Sequence, residues 1–141
     1  MIVVDTNVVS AVMREPAETK VIAWMDAQPA SSIWITAISI FEVRFGIARL
    51  PAGKRRQTLE AAFEQAIAED FEGRVLAFDE GSAGVAGMIA AAREALGRPV
   101  EFRDIQIAGI AKHNGAAVAT RNTRHFEGLG IPLIDPWTAA R

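Results

Sequence analysis

Four polar residues stand out by type and by the pattern around them: Asp5, Glu42, Asp104 and Asn122. None is a histidine or a cysteine. Three carboxylates and an amide form an all-oxygen donor set, which suits a hard cation such as Mg²⁺ or Mn²⁺ and not Zn²⁺. Crowded carboxylates repel one another, and their pKa values rise unless a cation neutralises them. A divalent ion held in such a site can activate water and stabilise the charge building on a phosphodiester. Thr6, Asn7 and Thr120 adjoin these positions and are expected to tune the site or face the same cleft. Arg103 flanks Asp104, and Arg121 and Arg124 flank Asn122, where they can grip nucleic-acid phosphates.

The elements between these residues must bring them together. Ile2-Val3-Val4 is a short β-branched run that reads as a buried strand, and Asp5 ends it. Ligands of open α/β sheets sit at such strand ends. Val8 to Met13 then recur at helical spacing, with a break around Glu15-Pro16 and a second helix over about 18–26. Ile33-Trp34-Ile35 is the second strand. Thr36 stands where an N-cap belongs, and Ile38, Phe41, Phe45 and Ala48 mark the expected apolar face of the next helix, which carries Glu42. Leu59, Ala62, Phe63, Ala66 and Ile67 define another helix, opened by Lys54-Arg55-Arg56. Val75 to Phe78 reads as a third strand, and Asp79 as the cap of an alanine- and glycine-rich helix that must pack closely on a neighbour. Asp104 heads a further helix ending at Asn114-Gly115. Ala116 to Thr120 is a fourth strand, 121–126 a polar loop, and Pro132-Leu133-Ile134 a last strand. Regular alternation of strand and helix implies right-handed crossovers and a parallel sheet covered on both faces.

Each acid also has a plain structural role open to it. Asp104 could be only an N-cap, Glu42 only a good helix former, and Thr6 or Asn7 only a cap for the first helix. Asp5 is the hardest to explain that way, because a carboxylate ending a buried strand needs a partner. His113, in a last helical turn, suits the helix dipole. His125 reads as a surface loop residue, although contact with a phosphate or a proton-shuttling role is open to it. Trp24, Trp34 and Trp137 read as core residues and not as stacking platforms for bases.

Composition narrows the classes. The chain has 141 residues, half of them hydrophobic, no cysteine and a formal net charge of −2. It is long enough for one well-cored domain, and disulfides, thiolate metal sites and a cysteine nucleophile are excluded. The charge argues against an extended nucleic-acid-binding coat but allows a local basic rim. No apolar run approaches membrane-spanning length, and no basic-then-apolar leader precedes the first strand, so a cytoplasmic location with no membrane partner is expected.

Val3-Val4-Asp5-Thr6-Asn7, Ser39-Ile40-Phe41-Glu42-Val43, Arg103-Asp104-Ile105-Gln106-Ile107-Ala108 and Ala119-Thr120-Arg121-Asn122 occur in this order at family-like spacing. Together they resemble the PIN domain, and more narrowly the VapC-type toxins of toxin–antitoxin operons, in the branch that includes FitB. The endings Phe126-Glu127-Gly128-Leu129-Gly130-Ile131 and Asp135-Pro136-Trp137 add to the likeness. It covers essentially the whole chain, as one PIN domain over 1–141. The resemblance implies a three-layer α/β fold with a central parallel sheet of about five strands flanked by helices. It implies metal-dependent RNA cleavage with Mg²⁺ or Mn²⁺, a homodimer and a VapB-type antitoxin partner. It places Asp5, Glu42 and Asp104 as metal-binding and catalytic acids, with Asn122 in the motif of the fourth polar position. One departure is visible: related sequences often carry an aspartate where this chain has His125.

Other classes fit less well. A phosphoacceptor receiver domain needs an acidic pair after the first strand and a lysine after the fifth, and Asp5 stands alone while Ile134-Asp135-Pro136 has no lysine. A haloacid-dehalogenase-type phosphatase needs Asp-x-Asp where this chain has Asp5-Thr6-Asn7. A catalytically idle PIN module acting through partner binding is the remaining alternative, and the three acids argue against it.

Overall fold

The structure is a computed structural model that describes residues 1–14 and 16–139. Five parallel strands form its sheet: β1 (Ile2–Val4), β2 (Ile33–Thr36), β3 (Val75–Leu76), β4 (Ala117–Ala119) and β5 (Leu133–Ile134). Their spatial order is β3-β2-β1-β4-β5. The chain winds outward from the central β1 to β2 and β3. It then returns to the other side of β1 with β4 and β5. The winding direction therefore reverses between β1 and β4, and at that point adjacent strand ends leave a crevice for a ligand.

Among the described residues six α-helices cover the sheet: α1 (Thr6–Met13), α2 (Thr19–Asp26), α3 (Ala37–Ala48), α4 (Lys54–Gln65), α5 (Glu80–Ala95) and α6 (Phe102–His113). Successive side chains of a strand point to opposite faces, and the two core layers divide accordingly. Val4 joins α1, α2, α3 and α4 on one face, through Val8, Trp24, Val43 and Phe63. Val3 joins α5 and α6 on the other, through Ile89, Ile105 and Ile107. A strand buried on both faces has to be apolar throughout, as β1 and β4 are.

Local chemistry sets several element ends. Thr36 caps α3, its hydroxyl accepting from Ser39 N–H at 3.1 Å. Asp79 caps α5 by accepting from Ser82 N–H at 2.9 Å. The expected close packing of the alanine-rich helix is against α6, and the glycine that permits it lies on α6. A Cβ at Gly109 would stand 2.7 Å from the Ala86 methyl and 2.7 Å from the Ser82 carbonyl oxygen.

Two expectations are corrected. The buried side of α3 is Ser39, Val43 and Ile47, whereas Phe41 and Phe45 lie outside at 57% and 47% exposure, with their rings stacked. The helix is apolar nearly all round, so periodicity does not fix its rotation; the Thr36 cap and the exit direction of β2 do. The third strand ends at Leu76, because Ala77 and Phe78 already lead into the capped start of α5. The break expected around Glu15-Pro16 falls partly on Glu15, outside the described residues; α1 ends at Met13 and α2 begins at Thr19.

Candidate active site

Asp5 sits at the reversal point. Its backbone N–H extends the β1–β4 ladder by donating to the Ala119 carbonyl at 2.9 Å. The chain then turns into α1, and Asp5 itself is the N-cap, with Oδ1 accepting from Thr6 N–H at 2.8 Å. That duty does not fall to Thr6 or Asn7. The other carboxylate oxygen accepts from the Thr120 hydroxyl at 2.8 Å, and the Asn7 amide lies 3.4 Å away. Thr120 is placed there because β4 runs parallel beside β1, one residue further along. Asp5 is 3% exposed, and among the described residues no cation pairs with it.

Burial without a cation has a measurable consequence. Desolvation lifts the Asp5 pKa from its ordinary 3.8 to about 6. The Thr120 hydroxyl and the Thr6 N–H pull it back, while the charges of Asp104 and Glu42 push it further up. Both acids are therefore near enough to be felt electrostatically, as the topology argument expects.

Glu42 lies in the second turn of α3 and reaches the cluster through Thr6. The Thr6 hydroxyl is 2.7 Å from Glu42 Oε1 and 2.9 Å from the buried Ser39 hydroxyl. Asp104 lies in the first turn of α6 but is not its cap. Glu101 is, accepting from the Arg103 and Asp104 N–H groups at 2.8 and 3.3 Å. Asp104 Oδ2 instead meets His125 Nδ1 at 2.6 Å. Arg103 lies between Glu101 and Glu42, at 2.8 and 3.7 Å. Each acid thus has its own local partner, and among the described residues no three acidic or histidine side chains close into a metal cage. The donor chemistry nonetheless fits a hard divalent ion. A buried carboxylate with a raised pKa and two like-charged neighbours gains from a cation more than from any further hydrogen-bond donor.

The remaining candidates divide. Thr120 is fully buried and acts on Asp5, so it supports the site from beneath and does not face substrate. Asn7 links Asp5 to the Arg121 backbone N–H, which donates to its Oδ1 at 3.3 Å. Asn122 is exposed, and its tie to the site is a backbone N–H donated to Thr120 Oγ1 at 3.0 Å. Arg121 and Arg124 are exposed on the rim, Arg121 over the Trp137 ring at 4.9 Å. Trp24 and Trp137 pack with the first core layer, as expected. Beside Glu42, a groove of about 280 Å³ runs between α1, α3 and α4. Met13, Ile47 and Leu59 form its apolar floor, with Arg14 and Arg55 at its edges. Sequence reasoning gave no role to Ser39 or Glu101. Ser39 could be read from its place three residues after the Thr36 cap, and Glu101 from standing two residues before an arginine at a helix start.

Residues 2–130 match the PIN domain family. The chain belongs to that family. VapC ribonuclease Y4jK of Sinorhizobium fredii is 40% identical to this PIN domain over 99% of the chain and 100% of its own length. Toxin FitB of Neisseria gonorrhoeae is 35% identical over 97% and 99%. The crystal structure of FitAcB from Neisseria gonorrhoeae superposes with a TM-score of 0.90 at 34% identity, covering 99% of this chain and 100% of that one. The expected three-layer fold with its five-stranded parallel sheet is therefore the fold of this PIN domain. No helix among the described residues is long and apolar enough to cross a membrane.

Proposed function

We propose that this PIN domain, as a single domain over residues 1–141, is the toxin of a toxin–antitoxin pair and a metal-dependent endoribonuclease. The observation that carries the proposal is Asp5: a carboxylate without a cation at the topological reversal point, whose pKa burial raises to about 6, with the charges of Asp104 and Glu42 adding to the rise. Similarity to a VapC ribonuclease and to toxin FitB along nearly the whole chain supports the substrate class.

Asp5, Glu42 and Asp104 would hold Mg²⁺ or Mn²⁺. Such an ion supplies an activated water and neutralises charge on the scissile phosphate. The protein's own part is orientation. Thr120 and the α1 N-terminus fix the two oxygens of Asp5, and Thr6 and Ser39 fix Glu42. Arg121 and Arg124 bind flanking phosphates, and Arg103 joins them when it releases Glu42. Asn122 presents its exposed amide to the same strand of RNA. Water attacks phosphorus and the bond to the 3′ oxygen breaks, leaving a 3′-hydroxyl and a 5′-phosphate. A VapB-type antitoxin would block the reaction by lying in the apolar groove beside Glu42, and the toxin would act in the cytoplasm as a homodimer.

The test is incubation of the purified chain with mixed structured RNA and Mg²⁺ or Mn²⁺, beside Asp104→Asn and an EDTA control. Cleavage by the wild type alone, stopped by EDTA, is expected. A 2′,3′-cyclic phosphate product would contradict the mechanism, since the RNA's own 2′-hydroxyl would then be the nucleophile. Absence of both cleavage and metal binding would leave a partner-binding module.

A further inference from the structure

The geometry gives His125 a specific task. The 3₁₀ turn Thr123–Phe126 is pinned by Phe126, which is fully buried in the second core layer. That anchor presents His125 to the first turn of α6. There the capping duty belongs to Glu101, so the Asp104 carboxylate is not spent on its own backbone. Asp104 Oδ2 lies 2.6 Å from His125 Nδ1. An ionised carboxylate can only accept, so Nδ1 carries the shared proton, and a hydrogen bond to an ionised acceptor is of the short, strong kind. One Asp104 oxygen is then fixed and the other remains available. Among the described residues, Oδ1 has no hydrogen-bond partner.

We propose that His125 is a positioning residue that orients Asp104 as a ligand holding the ion through one oxygen. This rests on the metal-site reading above. Carboxylates that hold metals are usually fixed by hydrogen bonds of their own, and loss of such an outer partner typically costs about 10–100-fold in metal affinity. An aspartate at 125 would instead face Asp104 as a like charge.

The discriminating pair is His125→Asn and His125→Leu, which share a shape. The asparagine amide nitrogen stands the same number of bonds from Cα as Nδ1 and can donate to Asp104; leucine cannot. Calorimetric titration of Mn²⁺ and of Mg²⁺ into the wild type and both variants reads metal affinity without reference to cleavage. Expected is a roughly 10–100-fold weaker affinity for His125→Leu and recovery to within about threefold of wild type for His125→Asn. Circular dichroism and thermal melting establish that both are folded, and His125→Ala replaces the leucine variant if that one is not. Equal affinity of wild type and His125→Leu would overturn the inference and leave the metal site standing. Equal weakening in both variants would overturn it too, because the hydrogen bond would then not be the cause. A wild type that binds neither ion would remove the metal reading and this inference together.

Discussion

Two groups of three carboxylates stand at opposite ends of the sheet in this protein. At the carboxyl ends of the strands stand Asp5, Glu42 and Asp104. At the amino ends, a hollow of about 450 Å³ is lined by Asp26, Glu69 and Asp70 together with Ile22, Met25 and Ile33. The acids lining this hollow are all exposed. Asp70 is raised by partial desolvation, with the charges of Glu69 and Asp26 adding to it. Water and counter-ions reach these acids, so their mutual repulsion is screened and demands nothing of the fold. In the first group Asp5 is sealed, its oxygens are given donors by Thr6 of α1 and by Thr120 just past β4, and its charge has no cation partner among the described residues. A hollow lined by acids therefore does not by itself make a site. Burial of one carboxylate among prepositioned donors does.

Substitution at the two ends should separate them sharply. Asp5→Asn should reduce RNA cleavage by more than about a hundredfold, measured as initial rates on a labelled RNA, since in the proposed mechanism it removes an oxygen that holds the ion and not merely its support. The same variant should make the metal-free protein more stable near pH 7, by about 3 kcal/mol at most, because it removes the cost of ionising a buried acid. Urea unfolding at fixed pH reads this.

The pH dependence sharpens the comparison. Asp5 has a native pKa of about 6, above its ordinary 3.8, so between these values the folded state binds more protons than the unfolded one. Stability from this group is complete below about pH 4 and is lost as pH rises through about 6, amounting to about 3 kcal/mol. Denaturant titrations across that window should show the slope in the wild type and lose it in Asp5→Asn. Saturating Mn²⁺ should also flatten it, by favouring the ionised carboxylate.

Thr120→Val is the next smaller effect. It deletes the hydroxyl that donates to Asp5 at 2.8 Å. A buried group that loses its partner costs about 1–3 kcal/mol. The Asp5 pKa should rise further, so the acid limb of the cleavage profile should move to higher pH with the rest of the fold intact. The smallest effects belong to the acids at the amino ends of the strands. Asp26→Asn, Glu69→Gln and Asp70→Asn should each leave cleavage within about twofold and stability within about 0.5 kcal/mol. A large loss of cleavage from any of them would break the contrast drawn here.

Much of this arrangement was legible in the residues. Ile2-Val3-Val4 ending in Asp5 reads correctly as a buried strand with an acid at its tip, because an apolar run that stops abruptly leaves few alternatives. The caps at Thr36 and Asp79 were also legible, since a capping side chain acts on backbone three residues away. The rotation of α3 was not. Its apolar residues occupy most of its circumference, and only packing chose Val43 and Ile47 over Phe41 and Phe45. The cap of α6 was not legible for a related reason. Glu101 and Asp104 are both acids near a helix start, and which one caps depends on the backbone angle at which the chain enters the helix.

The sequence by itself determined the alternation of strands and helices, the parallel sheet, the oxygen-rich donor set and the family, since these follow from local periodicity and motif spacing. The tertiary structure decided which polar groups touch. Placing β4 beside β1 put Thr120 on Asp5 across 115 residues, and anchoring Phe126 brought His125 to Asp104 across 21. Such contacts depend on strand order and core packing, which couple distant residues in space and leave no periodic trace along the chain.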